Sequence, residues 1–373
     1  MPSLNARLQD EAVDRQIDLL RYNRGVVLRM IAVLNRSDAR LMAQLTEALM
    51  QLPAESFTVQ RLESLLFSMR FVETNLEAYR AVFEAFEPDM RGLAGVEAGY
   101  QATALRAVVP SVVQLQFPIA GVTAEQVYAT ALSRPFQGRL LRQWAAELPG
   151  QRLALIRNAV RAGYVEGRTT AEIIRLIRGT RALRFEDGIL ARPRRDIAAV
   201  VQTALSHTAQ TARQAFYDAN GDLIKAVKWT STLDSKTSPM CRVRDGLRYT
   251  ADRKHRPIGH KVPWGDGPGR LHFNCRSVSV PVTKSWRELG IDIEDMPPGA
   301  RASMDGAVPA DTTYGAWLAR QSAARQDEIL GPVRARMLRE GRVRFDQFAD
   351  DKGRWLTLAE LALRGLTQVP GVP

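Results

Sequence analysis

Apolar residues in the first hundred positions recur every three or four places, the period of a helix with one buried face. Val13, Ile17, Leu20, Val27, Ile31 and Leu34 follow it, with Arg24 in the one polar slot. Ser37 reads as the N-cap of a second helix carrying Leu41, Leu45, Leu49 and Leu52 and ended by Pro53. After Thr58 a stricter pattern runs through Leu62, Leu65, Met69, Val72, Leu76, Tyr79, Phe83 and Phe86 until Pro88 stops it. A heptad seam of this length, roughly 42 Å of helix, demands a partner. An intramolecular hairpin or bundle supplies one; docking of an elongated arm on another subunit supplies the other.

Residues 110–122 read as a linker. Thr123 with Gln126, Thr169 with Glu172 and Thr357 with Glu360 have capping-box spacing, each opening a helix. Helices are predicted at Arg139–Leu148, Arg152–Gly163, Asp196–Asp218, Tyr314–Gln326 and Pro332–Glu340, the last ended by Gly341. The pattern changes near Ala226. Lys228–Thr232, Gly246–Thr250 and Ser277–Val282 alternate like strands and are rich in β-branched residues. Pro239, Pro257, Gly259, Pro263, Gly265, Gly267, Pro268 and Gly269 force turns between them. The chain returns to helix after Pro297-Pro298. The predicted fold is therefore mainly α: an elongated multi-domain helical protein with a small β-containing, loop-rich module at about 226–285. The division expected along the chain is an N-terminal helical arm or bundle at 1–110, a helical domain at 111–225, the β module at 226–285 and a helical extension at 286–373.

The chain has 373 residues, 45% hydrophobic and 25% charged, an ordinary globular balance. No apolar run is long enough to span a bilayer, and the charged N-terminus lacks the apolar stretch of a secretory signal. Two cysteines make no disulfide framework and fit synthesis in a reducing cytoplasm. The net charge of +12 suits a polyanion or an acidic protein surface. Arginine-rich codon usage accounts for it equally well. The basic stretch Arg175, Arg178, Arg181, Arg184, Arg192, Arg194 and Arg195 reads as a phosphate contact, a solvated face or an intersubunit salt-bridge surface.

Chemistry concentrates between Trp229 and Pro281, which holds both cysteines and three of the four histidines. His272 and Cys275 form HxxC, a spacing that brings two ligands to one ion from a tight turn. Cys241 comes from a separate loop, and His260, His255 or Asp234 is a candidate fourth ligand. Such a set suits Zn²⁺, which would hold together a module too loop-rich for a core of its own. Packed thiols or a disulfide are the other readings of Cys241 and Cys275. Asp234 in LDSKT and Asp245 before Gly246 read as turn formers. Trp229 and Trp264 read as core or loop anchors, and His207 as structural. No P-loop, GxGxxG, HExxH or catalytic Ser/His/Asp order is present, so no catalytic residue is assigned.

The segment resembles the phage head morphogenesis family, the Mu F-like minor head proteins. That pattern runs from a Trp strand through an Asp-x-Lys/Arg-Thr turn, a Cys and a Gly-containing turn to a Pro/His-x-x-Cys-Arg-Cys element and a strand. The matching residues are Trp229, Asp234, Lys236, Thr237, Cys241, Asp245, Gly246, His272, Cys275 and Arg276. Ser277 stands where many members carry a further cysteine, which removes one thiolate from a metal set. The helix containing Thr203 and the tail from Tyr314 to the LTLAEL segment also resemble the family, so the likeness covers roughly 123–365 and leaves out the N-terminal arm.

The resemblance implies a structural virion protein at the portal vertex or inner capsid wall, in a few copies per particle. It implies a role in head assembly and in DNA packaging or delivery. Its expected partners are the portal protein, the major capsid protein and packaged double-stranded DNA, with no membrane during assembly. The alternative is an enzyme, a metal-dependent nuclease or toxin-type effector using the Cys/His module.

Overall fold

The computed structural model describes residues 4–51, 64, 69–291, 300–309 and 311–366. Among them the chain forms twelve α-helices and two small antiparallel sheets, which makes the fold mainly α. Two compact units interleave along the sequence. One comprises 1–20, 94–127 and 206–373, and the other comprises 21–93 and 128–205. The units are thus built from separate stretches of chain, whereas the division expected from sequence was drawn in consecutive blocks.

Helix α1 (Leu4–Met50) is continuous where a break was expected. Ser37 caps nothing: its hydroxyl turns back to donate to the Leu34 carbonyl at 2.7 Å, a bond that leaves the helix intact. Helix α2 (Met69–Val108) runs straight through Pro88. Pro88 lies on an exposed face, where water can take the carbonyl that the missing N–H leaves free. The predicted seam holds in part. Tyr79 and Phe86 are buried, but Leu76 is 43% exposed. The buried stripe instead runs Phe71, Asn75, Ala78, Tyr79, Val82, Phe86 and Met90. Asn75 belongs in it because its side chain donates to the Pro149 carbonyl at 3.0 Å. In α1 the polar slot is Asn23 rather than Arg24, between buried Leu19 and Val26. Leu52, Pro53, Thr58, Leu62, Leu65 and Pro297-Pro298 lie outside the described residues.

Helix α3 (Ser111–Gln116) occupies part of the expected linker. The Thr123–Gln126 capping box opens α4 (Ala124–Ser133), with both reciprocal bonds made. Helix α5 (Leu141–Val165) fuses two expected helices through Pro149, and α6 (Thr170–Arg178) carries the Thr169–Glu172 box. Helix α7 (Ala191–Ala219) holds Pro193 in its first turn, the place where a helix tolerates proline. The core of the unit 21–93/128–205 joins Leu41, Leu45, Leu49 and Phe71 to Ile156, Val160, Ile173, Ile177 and Leu190.

In the other unit, β1 (Ile224–Thr230), β2 (Arg248–Thr250), β3 (Pro257–Ile258) and β4 (Val278–Thr283) form an antiparallel sheet ordered β3-β2-β1-β4. Every residue of β4 is buried although it is an edge strand. Its open positions are covered: Thr283 N–H donates to Asn5 Oδ1 at 3.0 Å, and the Ser279 hydroxyl exchanges bonds with the Gln210 amide. Pro281, with no N–H to give, sits at this edge, where a strand accepts proline. Leu8, Leu105, Val113, Phe216 and Tyr217 pack with Trp229, Tyr249, Trp264, Val278 and Val280 in one core. The β module therefore shares a helical core, and the expectation that it lacks one of its own overlooked these helices.

The second core of this unit is C-terminal. The hairpin β5 (Ala300–Ser303) and β6 (Gly306–Pro309) precedes α9 (Tyr314–Ala319), α10 (Ala323–Leu330), α11 (Pro332–Arg339) and α12 (Leu358–Leu363). The expected single helix from Tyr314 to Gln326 is two, because Ser322 caps a new start by accepting from Arg325 N–H. Leu233, Tyr314, Trp317, Leu318, Met337, Phe348, Leu356 and Leu361 form this core.

Candidate metal centre

Ser238-Pro239 opens α8 (Pro239–Arg244), with proline at the first helical position and the serine oxygen accepting from Cys241 N–H at 3.3 Å. This short turn aims the Cys241 side chain inward. The HxxC segment is a tight turn closed by Cys275 N–H donating to the His272 carbonyl at 3.1 Å. Asn274 in that turn has φ +59°, a left-handed conformation that asparagine tolerates better than most residues.

The two segments bring together Cys241, His272 and Cys275, whose ligand atoms all lie within 4.8 Å of one another. Cys241 Sγ is 3.6 Å from Cys275 Sγ and 3.3 Å from His272 Nε2. The thiols are free and well beyond the roughly 2.05 Å of a bonded pair. Ligands on a tetrahedral zinc stand about 3.8 Å apart for two sulfurs and about 3.6 Å for sulfur and nitrogen, from bond lengths of about 2.3 and 2.05 Å. The two distances from Cys241 are slightly tighter than these and the whole trio lies within 4.8 Å, so it can hold one metal ion after small adjustments.

His272 is preset for that role. Its Nδ1–H donates to the Phe273 carbonyl at 2.8 Å, which leaves Nε2 facing the sulfurs. Ser238 Oγ lies 2.8 Å from the same nitrogen. The bond that Cys241 donates holds the Cys275 thiol well below its ordinary range, and His272 adds to this. Cys241 is pushed up by that shared bond and by burial. His272 is raised, chiefly by its bond with Cys275. Metal binding at such a group displaces the protons of both thiols, so it strengthens as pH rises.

His260 is not brought to this group. Its Nε2 donates to the Arg248 carbonyl at 2.8 Å and its ring meets Tyr249 edge-on. His255 stacks on Trp264 with ring centres 4.3 Å apart, and His207 Nδ1 accepts from Arg270 at 3.1 Å. Asp234 is also elsewhere. Its carboxylate takes both Arg276 nitrogens at 2.5 and 2.8 Å, the Thr237 hydroxyl at 3.0 Å and Lys236 N–H at 3.0 Å. Burial drives this carboxyl upward, but the Arg276 pair and the remaining bonds outweigh it and the net shift is down.

Asp245 does more than shape a turn. One oxygen accepts from Ser231 N–H and the other from Tyr314 N–H, each at 2.7 Å. Gly246, at φ +82°, donates to the Trp229 carbonyl. Trp229 is fully buried, and its indole N–H donates to Ser231 Oγ.

Sequence reasoning missed Arg242, and it named Tyr314 and Ser277 without the bonds they make. Arg242 donates to the Ile329 carbonyl at 2.9 Å and lies over the Tyr314 ring, and the Tyr314 hydroxyl donates to the Asp234 carbonyl at 2.7 Å. Ser277 is buried, with its hydroxyl 3.1 Å from Ser231 Oγ, which in turn donates to the Cys241 carbonyl. The Ser238-Pro239 capping signal was the one cue in the sequence to the turn that presents Cys241.

The motif residues thus divide in two. Three form a potential ligand set. Asp234, Asp245 and Arg242 tie the module to the C-terminal helices through Tyr314 and Ile329, and Arg276 braces Asp234 by an ion pair. No family model, curated protein or solved structure matches this chain.

Proposed function

We propose that this chain is a structural minor head protein of a tailed phage, acting in head assembly and in DNA packaging or delivery. Its partners on this reading are the portal protein or the major capsid protein, with packaged DNA beside it. The observation that carries the reading is the ordered motif from Trp229 to Arg276, in which both aspartates are committed to structural bonds, Asp234 to Arg276 and Asp245 to backbone amides. Asp245 is the clearest case: both carboxylate oxygens are given to amides of different elements. A carboxylate so engaged is a fastener, not a general base.

The ion in the Cys241–His272–Cys275 group is zinc on this reading, with two thiolates and one imidazole as its protein ligands. Three ligands with a fourth position left to water is also the arrangement of a catalytic zinc, which favours the enzyme alternative. Against it, no carboxylate belongs to the ligand group among the described residues, both sulfurs are buried, and Asp234 is held by Arg276. No described helix is long and apolar enough to cross a membrane.

The test is deletion of the gene from a phage that carries it. Particles lacking the chain assemble, fill or eject DNA poorly. Normal yield, DNA content and infectivity contradict the proposal.

A further inference from the structure

We infer that the arginine-rich segment joining α6 to α7 is a contact surface for the phosphate backbone of double-stranded DNA. Arg175 and Arg178 lie at the end of α6, Arg181 and Arg184 in the connecting loop, and Arg192 and Arg195 at the start of α7. All six are exposed. Among the described residues, Arg194 is the member of this stretch that forms an ion pair, on Asp38 at 2.9 Å. Of the nearby carboxylates two are engaged, while Glu186 stands exposed within the loop as one negative charge among the arginines. Glu172 caps α6 through Thr169, and Asp187 accepts Thr180 N–H at 2.8 Å. Asp196 feels Arg192 and Arg195 only as neighbouring charges. The dipole of α6 accounts for Arg175 and Arg178 in its last turn, but not for the cations at the start of α7, which oppose the dipole of that helix.

The loop is built to hold its shape. Gly179 and Gly188 close its neck so tightly that a Cβ on Gly188 would stand 2.4 Å from the Arg178 carbonyl carbon and oxygen. Phe185 N–H donates to the Thr180 carbonyl at 2.8 Å, and Ile189 N–H to Leu176 at 3.1 Å. Arg184 and Phe185 both take left-handed backbone, φ +52° and +64°, a conformation that persists only where its surroundings enforce it. Arg178 lies over the Phe185 ring at 5.1 Å. Beside the loop, Arg178, Arg184, Arg194 and Asn35 help line a cavity of about 560 Å³.

Guanidinium groups match phosphate oxygens with paired donors, and the stretch 169–195 contains no lysine. Protein interfaces concentrate their affinity in a few well-packed anchors, in which arginine acts beside large aromatic side chains. Here the loop offers only Leu183, 60% exposed. Backbone-phosphate binding needs no such anchor, because it grows with the number of charges engaged. The choice of DNA among polyanions rests on the virion reading; the surface itself does not.

The experiment measures affinity of the full chain for a 24-base-pair duplex (length chosen at roughly two helical turns) by fluorescence anisotropy between 50 and 200 mM salt. The parent binds with steep salt dependence. The R181A/R184A/R195A variant lowers the log–log salt slope by about 2.7, at about 0.9 per phosphate contact. The R320A/R364A pair, which removes charge in the other unit, leaves the slope unchanged. The inference is overturned if the parent shows no salt-dependent binding, if the control variant loses as much as the loop variant, or if poly-glutamate binds the loop as tightly as the duplex. A chain absent from virions whose loop still binds DNA defeats the head assignment alone. A virion protein whose loop variant binds like the parent defeats this surface alone.

Discussion

Asp245 is the residue on which most of the joint depends, since two buried amides of separate elements end on its carboxylate. Asp245→Ala orphans both, at about 1–3 kcal/mol for each buried donor left unpaired. A loss of about 2–6 kcal/mol in urea denaturation is expected, read as a lower midpoint with secondary structure unchanged in the absence of urea. His255 gives a pH signature. Burial first, then Arg270, lowers its pKa in the fold. A histidine with a depressed folded pKa is protonated more readily when unfolded, so stability is full above about pH 6.5 and declines as pH falls below it. His255→Phe removes that decline, and thermal melts from pH 7.5 to 5 compare the two slopes. Asp234 behaves in the opposite range: its lowered carboxyl stabilises the fold above about pH 4, and this is lost as pH falls through the folded value. At the ligand group, Cys275→Ser abolishes zinc retention measured by metal analysis after dialysis. Ser277→Cys adds a thiol two residues from Cys275 and raises retention against a competing chelator.

Capping is where the sequence spoke most plainly at the scale of elements. All three Thr-x-x-Glu/Gln boxes form as read, because their geometry is local and owes nothing to distant packing. Thr169→Ala is expected to cost about 1 kcal/mol, read as a shift in the urea midpoint. The helix interiors were less legible. Asn23 and Asn75 sit in buried stripes that a hydrophobic count assigns to Arg24 and Leu76. The Asn75 bond to Pro149 joins residues 74 apart, which no local pattern encodes. Prolines misled in the same way. Pro88 was read as a stop and a break was placed between Leu148 and Arg152, yet a long amphipathic helix packed along its length carries the missing hydrogen bond at Pro88 and at Pro149. In the centre, the HxxC turn and its partnership with Cys241 were readable from spacing. The exclusion of His260 was not, because it depends on a carbonyl that β2 presents to it.

For the whole molecule, the two units are each assembled from distant stretches of sequence, so their boundaries are invisible to a reading that scans for composition shifts. What the motif contributes at this scale is attachment: Asp234, Arg242 and Asp245 reach Tyr314 and Ile329, more than eighty residues apart in part, and bind sheet to C-terminal helices. A chain organised this way suits a component whose task is to hold position within a larger assembly. The most direct test is quantitative mass spectrometry of purified, DNA-filled heads from a phage that encodes the chain. The account predicts the full chain in every preparation, at a fixed ratio of a few copies per portal. Its absence from filled heads, together with metal-dependent DNA cleavage by the purified chain that His272→Ala abolishes, would contradict it.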